Sequence, residues 1–477
     1  MPVYHLAIDI GASGGRHILG WLEEGRLVLQ EIYRFENGME NKDGFLCWDT
    51  EKLFAAILKG LKKCRESGRL PTTMGIDTWA VDFVLLDQKG KILGNSVGYR
   101  DRRTIGMDRR VCEILSEQEL YRRTGIQKQI FNTIYQLMAV KEHYPEHLQA
   151  VDSFLMIPDY FHYLLTGKKC CEYTNATTTQ LVSPVTQDWD GELLKALGFP
   201  IEMFPAIVPP GTCLGGFREN IQREVGFDCQ VILPATHDTG SAVLAVPARE
   251  ESFLYISSGT WSLIGTERPK ADCSEESREA NLTNEGGYGN RFRYLKNIMG
   301  LWMIQSVKKE LEEAKLCESG RYSYGELCRM AEECREFPSR VDVDAPRFLA
   351  PKSMTAELQA ACRESGQPVP ESPGELATVI YQSLAESYKK AVKQLECLCG
   401  QTCESIYIVG GGSHADYLNQ LTADVTEKTI YAGPAEATAL GNLLAQMLTK
   451  GELSSLEEAR TCVFHSLPMK QYVPWKE

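Results

Sequence analysis

The feature of this sequence that most constrains its fold is a pair of hairpins, one near the start of each half of the chain. Each consists of an apolar strand, a turn of small residues and a returning strand. Tyr4–Gly11 reads as a buried strand that enters the turn Ala12-Ser13-Gly14-Gly15 and returns from Arg16 to Trp21. Glu23-Glu24-Gly25 leads into a third strand, Leu27–Tyr33, which completes an antiparallel meander. A helix follows, with Asp49 or Thr50 as N-cap and Leu53, Phe54, Ile57, Leu58 and Leu61 on one face. Further strands are expected at Met74–Asp77 and Val81–Leu86. That order of elements predicts a mixed sheet with a parallel part.

The second half repeats the plan, with Phe253–Ile256 as strand, Ser257–Thr260 as turn and Trp261–Gly265 as returning strand. Between the halves, Val246-Pro247-Ala248-Arg249-Glu250-Glu251 is a polar, proline-bearing joint. The expected domains are therefore 1–246 and 252–477, two related α/β units, with the last residues able to pack back on the first. Late in the chain, Ser372-Pro373-Gly374-Glu375 carries the marks of a helix start, with an N-cap, a proline at the first position and a capping box. Its apolar stripe, Leu376 through Leu395, is core packing. The helix delivers the chain to a strand, Ile406–Val409, and then to Gly410-Gly411-Gly412.

Composition narrows the function classes. The chain has 477 residues and a formal charge of −13, from 64 acidic and 51 basic residues, so nucleic acid is not an expected partner. No apolar run approaches the roughly 18 residues that cross a bilayer, so no membrane association is expected. The first apolar stretch stops at Asp9, as a strand does and a signal peptide does not. A cytoplasmic monomer is the expected state. The sixteen cysteines are scattered, with no C-x-x-C pair, and read as reduced, mostly buried thiols rather than a zinc site.

Five segments can carry chemistry. Asp9-Ile10-Gly11-Ala12-Ser13-Gly14-Gly15-Arg16 joins an acid, a glycine-rich turn and a cation, a pattern suited to phosphate, although a tight turn with a solvated Asp would look the same. Neither a P-loop nor a dinucleotide fingerprint is present. Ser257-Ser258-Gly259-Thr260 offers hydroxyls and amides, and Gly410–Gly412 would let a flat ring lie against backbone. Thr236-His237-Asp238-Thr239-Gly240 puts His and Asp at a strand-to-helix junction, where Asp238 is a proton acceptor or Asp238 or Thr239 merely caps the helix, and His237 is a ligand contact or a core residue. Asp77-Thr78-Trp79-Ala80-Val81-Asp82 sets a Trp beside carboxylates, which suits a sugar or a buried indole with two acids.

Together these residues resemble the FGGY family of carbohydrate kinases, within the actin, hexokinase and heat-shock-70 superfamily, and in particular its rhamnulokinase members. The resemblance covers nearly the whole chain. It includes the segments above, Tyr99-Arg100-Asp101-Arg102, Asn284-Glu285-Gly286-Gly287, Leu295-Lys296-Asn297, Gly300-Leu301-Trp302, Gln305 and Pro346-Arg347-Phe348-Leu349. It implies an α/β, two-domain actin/hexokinase-like (ribonuclease H-like) fold with a cleft between duplicated domains. It implies that Ala12, Ser13, Gly14, Gly15, Arg16 and Thr260 hold the ATP phosphates. Asn297, Gln305 and Gly411 fall on the nucleotide side, Asn297 alternatively reaching the sugar. His237 and the backbone near Ala80 would contact a small-molecule ketose, with Asp77 and Trp79 beside it, and Asp238 would be the proton acceptor. Mg²⁺ would be held through water by Asp9. The implied reaction moves the ATP γ-phosphoryl group to the 1-hydroxyl of L-rhamnulose. The family pattern carries Gly where this chain has Ala80, which narrows the pocket by a methyl group. A kinase for L-fuculose or L-ribulose, or a silent sugar or nucleotide sensor, are the alternatives.

Overall fold

The computed structural model describes residues 2–250, 252–314 and 322–475; Glu251 of the expected joint and Cys317 lie outside them. The chain divides into two compact units. The first comprises Met1–Pro247, Glu267–Tyr294 and Thr438–Ser466, and the second Ala248–Thr266, Leu295–Ala437 and Leu467–Glu477.

In the first unit, β1 (His5–Gly11) has a strand on each side and is buried along almost its whole length because both its faces are covered: Leu6, Ile8 and Ile10 share a core with Leu53 and Ile57, and Ala7 packs with Ala439 and Leu443. β2 (Gly14–Glu23) pairs with it antiparallel, and β3 (Arg26–Glu36) follows β2. On the other side, Thr73–Thr78 runs parallel to β1. The sheet has six strands in the order Cys213–Gly215, Gln230–Ile232, Thr73–Thr78, β1, β2, β3. The returning strand begins two residues earlier than its apolar pattern suggested, because Gly14 pairs with Gly11 and leaves only Ala12 and Ser13 in the turn.

A parallel pair needs a crossover, which α1 (Thr50–Glu66) supplies. Asp49 is its N-cap, accepting a hydrogen bond from Lys52 N, and Leu53, Ile57, Leu58 and Leu61 are buried as their spacing predicts. The expected strand Val81–Leu86 is shorter and sits elsewhere. Only Phe83–Leu86 is strand, and it pairs with Ser153–Met156 in a separate two-stranded sheet. The diversion begins at Val81, whose φ of 65° turns the chain out of the main sheet.

The second unit repeats the plan. Leu254–Ser258 pairs antiparallel with Trp261–Arg268 and parallel with Ser405–Val409, which in turn runs parallel to Thr429–Ala432. The long helix Pro373–Cys399 makes the crossover, with the expected N-cap Ser372 and capping-box partner Glu375. The described cysteines are all free thiols, and no described helix is long and apolar enough to cross a membrane.

Candidate active site

The acidic residues gather at one end of the first sheet because three strand ends meet there. Asp9 on β1 stands in register with Asp77 on the parallel neighbour and with Arg16 across the hairpin. Arg16 Nη2 donates to Asp9 Oδ2 at 2.9 Å. Asp77 has no solvent exposure. Its Oδ2 accepts from Asn442 Nδ2 at 2.6 Å, while its Oδ1 is buried with no hydrogen-bond partner. Burial pushes the Asp77 carboxyl well up, the Asp9 charge adds to that, and the Asn442 amide works against it.

Thr236, His237 and Asp238 arrive at the same edge. Thr78 N donates to Thr236 O at 2.9 Å, and Thr78 and His237 form a parallel bridge. From below, the buried Glu172 carboxylate takes Thr236 N at 3.0 Å and Thr236 Oγ1 at 2.8 Å. His237, not Asp238, occupies the N-cap position of the helix Asp238–Leu244, and it makes no side-chain cap bond. Asp238 stands at the first helical position, where its Oδ1 accepts from Thr239 N at 2.6 Å. The Asp238 side chain is 33% exposed, against 8% for His237, so of the pair only the carboxylate is substantially open. His237 Nε2 lies 3.3 Å from Asp238 Oδ1, and Arg293 Nη2 donates to His237 Nδ1 at 3.0 Å.

Next along the edge, Trp79 is turned inward. Its indole N–H donates to Asp82 Oδ2 at 2.9 Å, and its ring packs on Trp48 with centroids 4.0 Å apart. Trp48 Nε1, Tyr99 N and Gln136 Nε2 also donate to Asp82, yet burial dominates and raises its carboxyl to about 6. Ala80 is half-buried, and the Val81 that follows keeps its left-handed backbone because Thr133 Oγ1 donates to Val81 O at 2.7 Å and Gln136 Nε2 does so at 3.2 Å. Such a conformation is strained for a β-branched residue and needs this kind of fixing.

In the first hairpin turn Ser13 is exposed, and Ala12, Gly14 and Arg16 are half-buried. Gly15 is buried for a packing reason: a Cβ there would sit 2.2 Å from Phe35 Cζ on β3. Asn37 holds the turn, donating from Nδ2 to Gly11 O at 2.9 Å and from N to Ser13 O at 3.2 Å.

In the second unit, the turn Gly259-Thr260 docks on the start of the helix Trp302–Glu313. Leu301 N donates to Gly259 O at 3.0 Å and Trp302 N to Thr260 O at 3.2 Å. Gln305 lies on the first turn of that helix and Asn297 on the strand Phe292–Met299 before it. The three glycines after Val409 divide their work. A Cβ at Gly410 would lie 2.9 Å from Ser258 O, and one at Gly412 would lie 1.9 Å from Ser258 Oγ. Around Gly411 the space is open.

Sequence reasoning did not find Asn442, Glu172, Arg293 or Asn37, and it named Glu285 only within the Asn284–Gly287 segment, without a role. Each acts on a residue distant in the chain or through a backbone atom, and no local spacing marks such a partner. Among the described residues, no group of three or more His, Cys, Asp or Glu side chains could hold a metal ion directly. The unpartnered, buried Oδ1 of Asp77 and the neighbouring Asp9 nevertheless make this end of the sheet one that a cation would relieve.

Comparison with known proteins places the chain in a family. Residues 4–245 match the N-terminal domain, and residues 254–449 the C-terminal domain, of the FGGY family of carbohydrate kinases. A rhamnulokinase of Halalkalibacterium halodurans is 51% identical over 470 residues, covering 98% of both chains. A rhamnulokinase of Bacillus subtilis is 45% identical, covering 98% of this chain and 95% of its own. Among solved structures, gluconate kinase from Lactobacillus acidophilus superposes with a TM-score of 0.79 at 16% identity, over 99% of this chain and 94% of that one. Plasmodium falciparum glycerol kinase with ADP gives 0.76 at 17% identity, over 98% and 94%. At such identities the structures establish a shared fold.

Proposed function

The chain belongs to the FGGY family of carbohydrate kinases, with ATP as co-substrate, and on that premise we infer that it transfers the ATP γ-phosphoryl group to the 1-hydroxyl of L-rhamnulose. The products are L-rhamnulose 1-phosphate and ADP, and the setting is L-rhamnose breakdown in the cytoplasm. Support for the sugar comes from relatives 40–51% identical over nearly the full chain that are rhamnulokinases. Support for the chemistry comes from one observation: a partly open carboxylate, Asp238, held beside a buried His237 at the edge where Asp9 and Asp77 end.

In this reading Asp238 accepts the proton of the sugar hydroxyl as the new O–P bond forms and ADP leaves. The partly open carboxylate suits that role, because Thr239 N–H fixes the side chain without closing it off. His237 and the backbone at Ala80 contact the ketose. Trp79 and Asp77 act behind them, shaping the wall from buried positions. Ala12–Arg16 and Thr260 are assigned to the phosphates, and Asn297, Gln305 and Gly411 to the nucleotide. Mg²⁺, which neutralises charge on the outer phosphates when bound, would be held through water by Asp9. Such a water-rich setting suits a cation that sheds its hydration shell reluctantly.

The test is ADP release from the purified protein across a panel of ketoses. L-Rhamnulose should give the highest kcat/KM. A tenfold preference for L-fuculose or L-ribulose, about 1.4 kcal/mol in transition-state binding, would move the assignment to another ketose kinase. Absence of ADP release with every ketose would favour a silent sensor.

A further inference from the structure

Arg293 has no solvent exposure, and each end of its guanidinium meets a neighbour. Nε donates to Gly286 O at 2.7 Å, Nη1 lies 3.1 Å from Glu285 Oε2, and Nη2 donates to His237 Nδ1 at 3.0 Å. Burying a cation carries a desolvation penalty that pairing only partly offsets, so packing alone does not account for this arginine.

A guanidinium has five donors and no acceptor. The bond to Nδ1 therefore forms only when that nitrogen carries no proton, which places the ring proton on Nε2. Glu285 Oε2 stands 3.3 Å from the same Nδ1 and by itself would favour the opposite state, a proton on Nδ1 or on both nitrogens. Arg293 pairs with that carboxylate and occupies the nitrogen in its place. On the other side of the ring, Nε2 faces Asp238 Oδ1.

We propose that Arg293 is a positioning residue that fixes His237 as the neutral Nε2–H tautomer, making the imidazole an obligate donor on the side it shares with Asp238. With no sugar present that N–H faces the Asp238 carboxylate. With a ketose bound it is available to a sugar oxygen, and Asp238 is left free to take the hydroxyl proton. An Nδ1–H ring would offer the sugar side an acceptor instead, and an imidazolium would hold Asp238 in an ion pair and weaken it as a base. The catalytic consequence rests on the roles proposed above for His237 and Asp238, whereas the tautomer itself does not.

Long-range ¹H–¹⁵N correlation spectra of the full chain labelled with ¹⁵N-histidine read ring tautomers without turnover. The chain has eight histidines, and His237→Gln identifies the relevant signals by their loss. At pH 7.5 the expected pattern for His237 is a bare Nδ1 and a protonated Nε2. An Nδ1–H or imidazolium pattern in the unmodified protein overturns the proposal. If the ketose reading fails while the Nε2–H pattern stands, the two are told apart. Arg293→Met should move the proton to Nδ1 or protonate both nitrogens and lower kcat at least tenfold, and Arg293→Lys, which keeps a donor, should restore much of both. Should Arg293→Met not fold, Glu285→Gln serves: it retains the Arg293 donor, so the Nε2–H pattern must persist. A switch to Nδ1–H in Glu285→Gln, or an unchanged tautomer in folded Arg293→Met, contradicts the assignment.

Discussion

Asn442 Nδ2 stands 2.6 Å from Asp77 Oδ2, joining residues 365 positions apart in the chain. The amide comes from the helix Ala437–Lys450 and also donates to Gly75 O at 3.1 Å, so one side chain pins both the strand and the carboxylate on it. Removing it in Asn442→Leu leaves a buried carboxylate without its donor, and should destabilise the protein by roughly 2–4 kcal/mol at pH 7.5. Asp77 already has a raised carboxyl pKa, so a proton can relieve the loss: the gap between variant and parent should narrow as pH falls. Urea unfolding at pH 7.5 and pH 5.5 measures it, and a gap that stays constant or widens in acid would contradict this role.

Much of this edge was legible in the sequence, and the reason is chemical. Asp9, Asp77 and His237-Asp238 each end an apolar run beside small residues, and strand ends of an α/β sheet are where ligands bind. The supporting residues were not legible, because Asn442 and Arg293 sit within ordinary helical or strand patterns and show their purpose only through a contact made elsewhere. Val81 is a third case: nothing about a valine announces a φ of 65°, so its strand was expected to start two residues too early. Trp79 reads two ways in the sequence, as a flat face for a sugar or as a buried indole beside two acids, and in the structure Asp82 and Trp48 draw its ring inward.

His162 links acid sensitivity to the strand that carries Asp77. Its Nε2 accepts from Ile76 N at 3.1 Å, and burial pushes the ring down to about 3. A ring that must stay neutral contributes stability in full above its unfolded value near 6.5, and loses it as pH falls from there toward the folded value. The loss accrues at roughly 1.4 kcal/mol per pH unit. His162→Gln can accept the same N–H without titrating, so its stability should fall less between pH 6.5 and pH 5, by about 2 kcal/mol. His17, pushed down to about 4, acts in the same direction, and Asp82, raised to about 6, acts against it. Both are common to the two proteins and cancel in the comparison. Parallel slopes of denaturation midpoint against pH would count against His162.

The glycines at 411 and 412 should separate packing from binding. Gly412→Ala drives a Cβ into Ser258 and should cost about 1–3 kcal/mol of stability through overpacking. Gly411→Ala meets nothing, so its melting temperature should stay within about 2 °C of the parent. Its KM for ATP should nonetheless rise several-fold if the open space there receives the nucleotide. Thermal melts and ATP titrations of both variants decide the matter, and an unchanged KM in Gly411→Ala would remove that residue from the nucleotide site.

The central claim is that Asp238 takes the proton from the sugar hydroxyl, and the most direct test is kcat of Asp238→Asn with chemistry shown to be rate-limiting. Asn is nearly isosteric, and its Oδ1 can still accept from Thr239 N–H, so the local fold should persist. It cannot take up the proton. The expected result is a fall in kcat of about 10²- to 10⁴-fold, with nucleotide binding by calorimetry little changed. A variant that keeps more than about a tenth of the parent kcat would contradict the assignment and return Asp238 to a structural role.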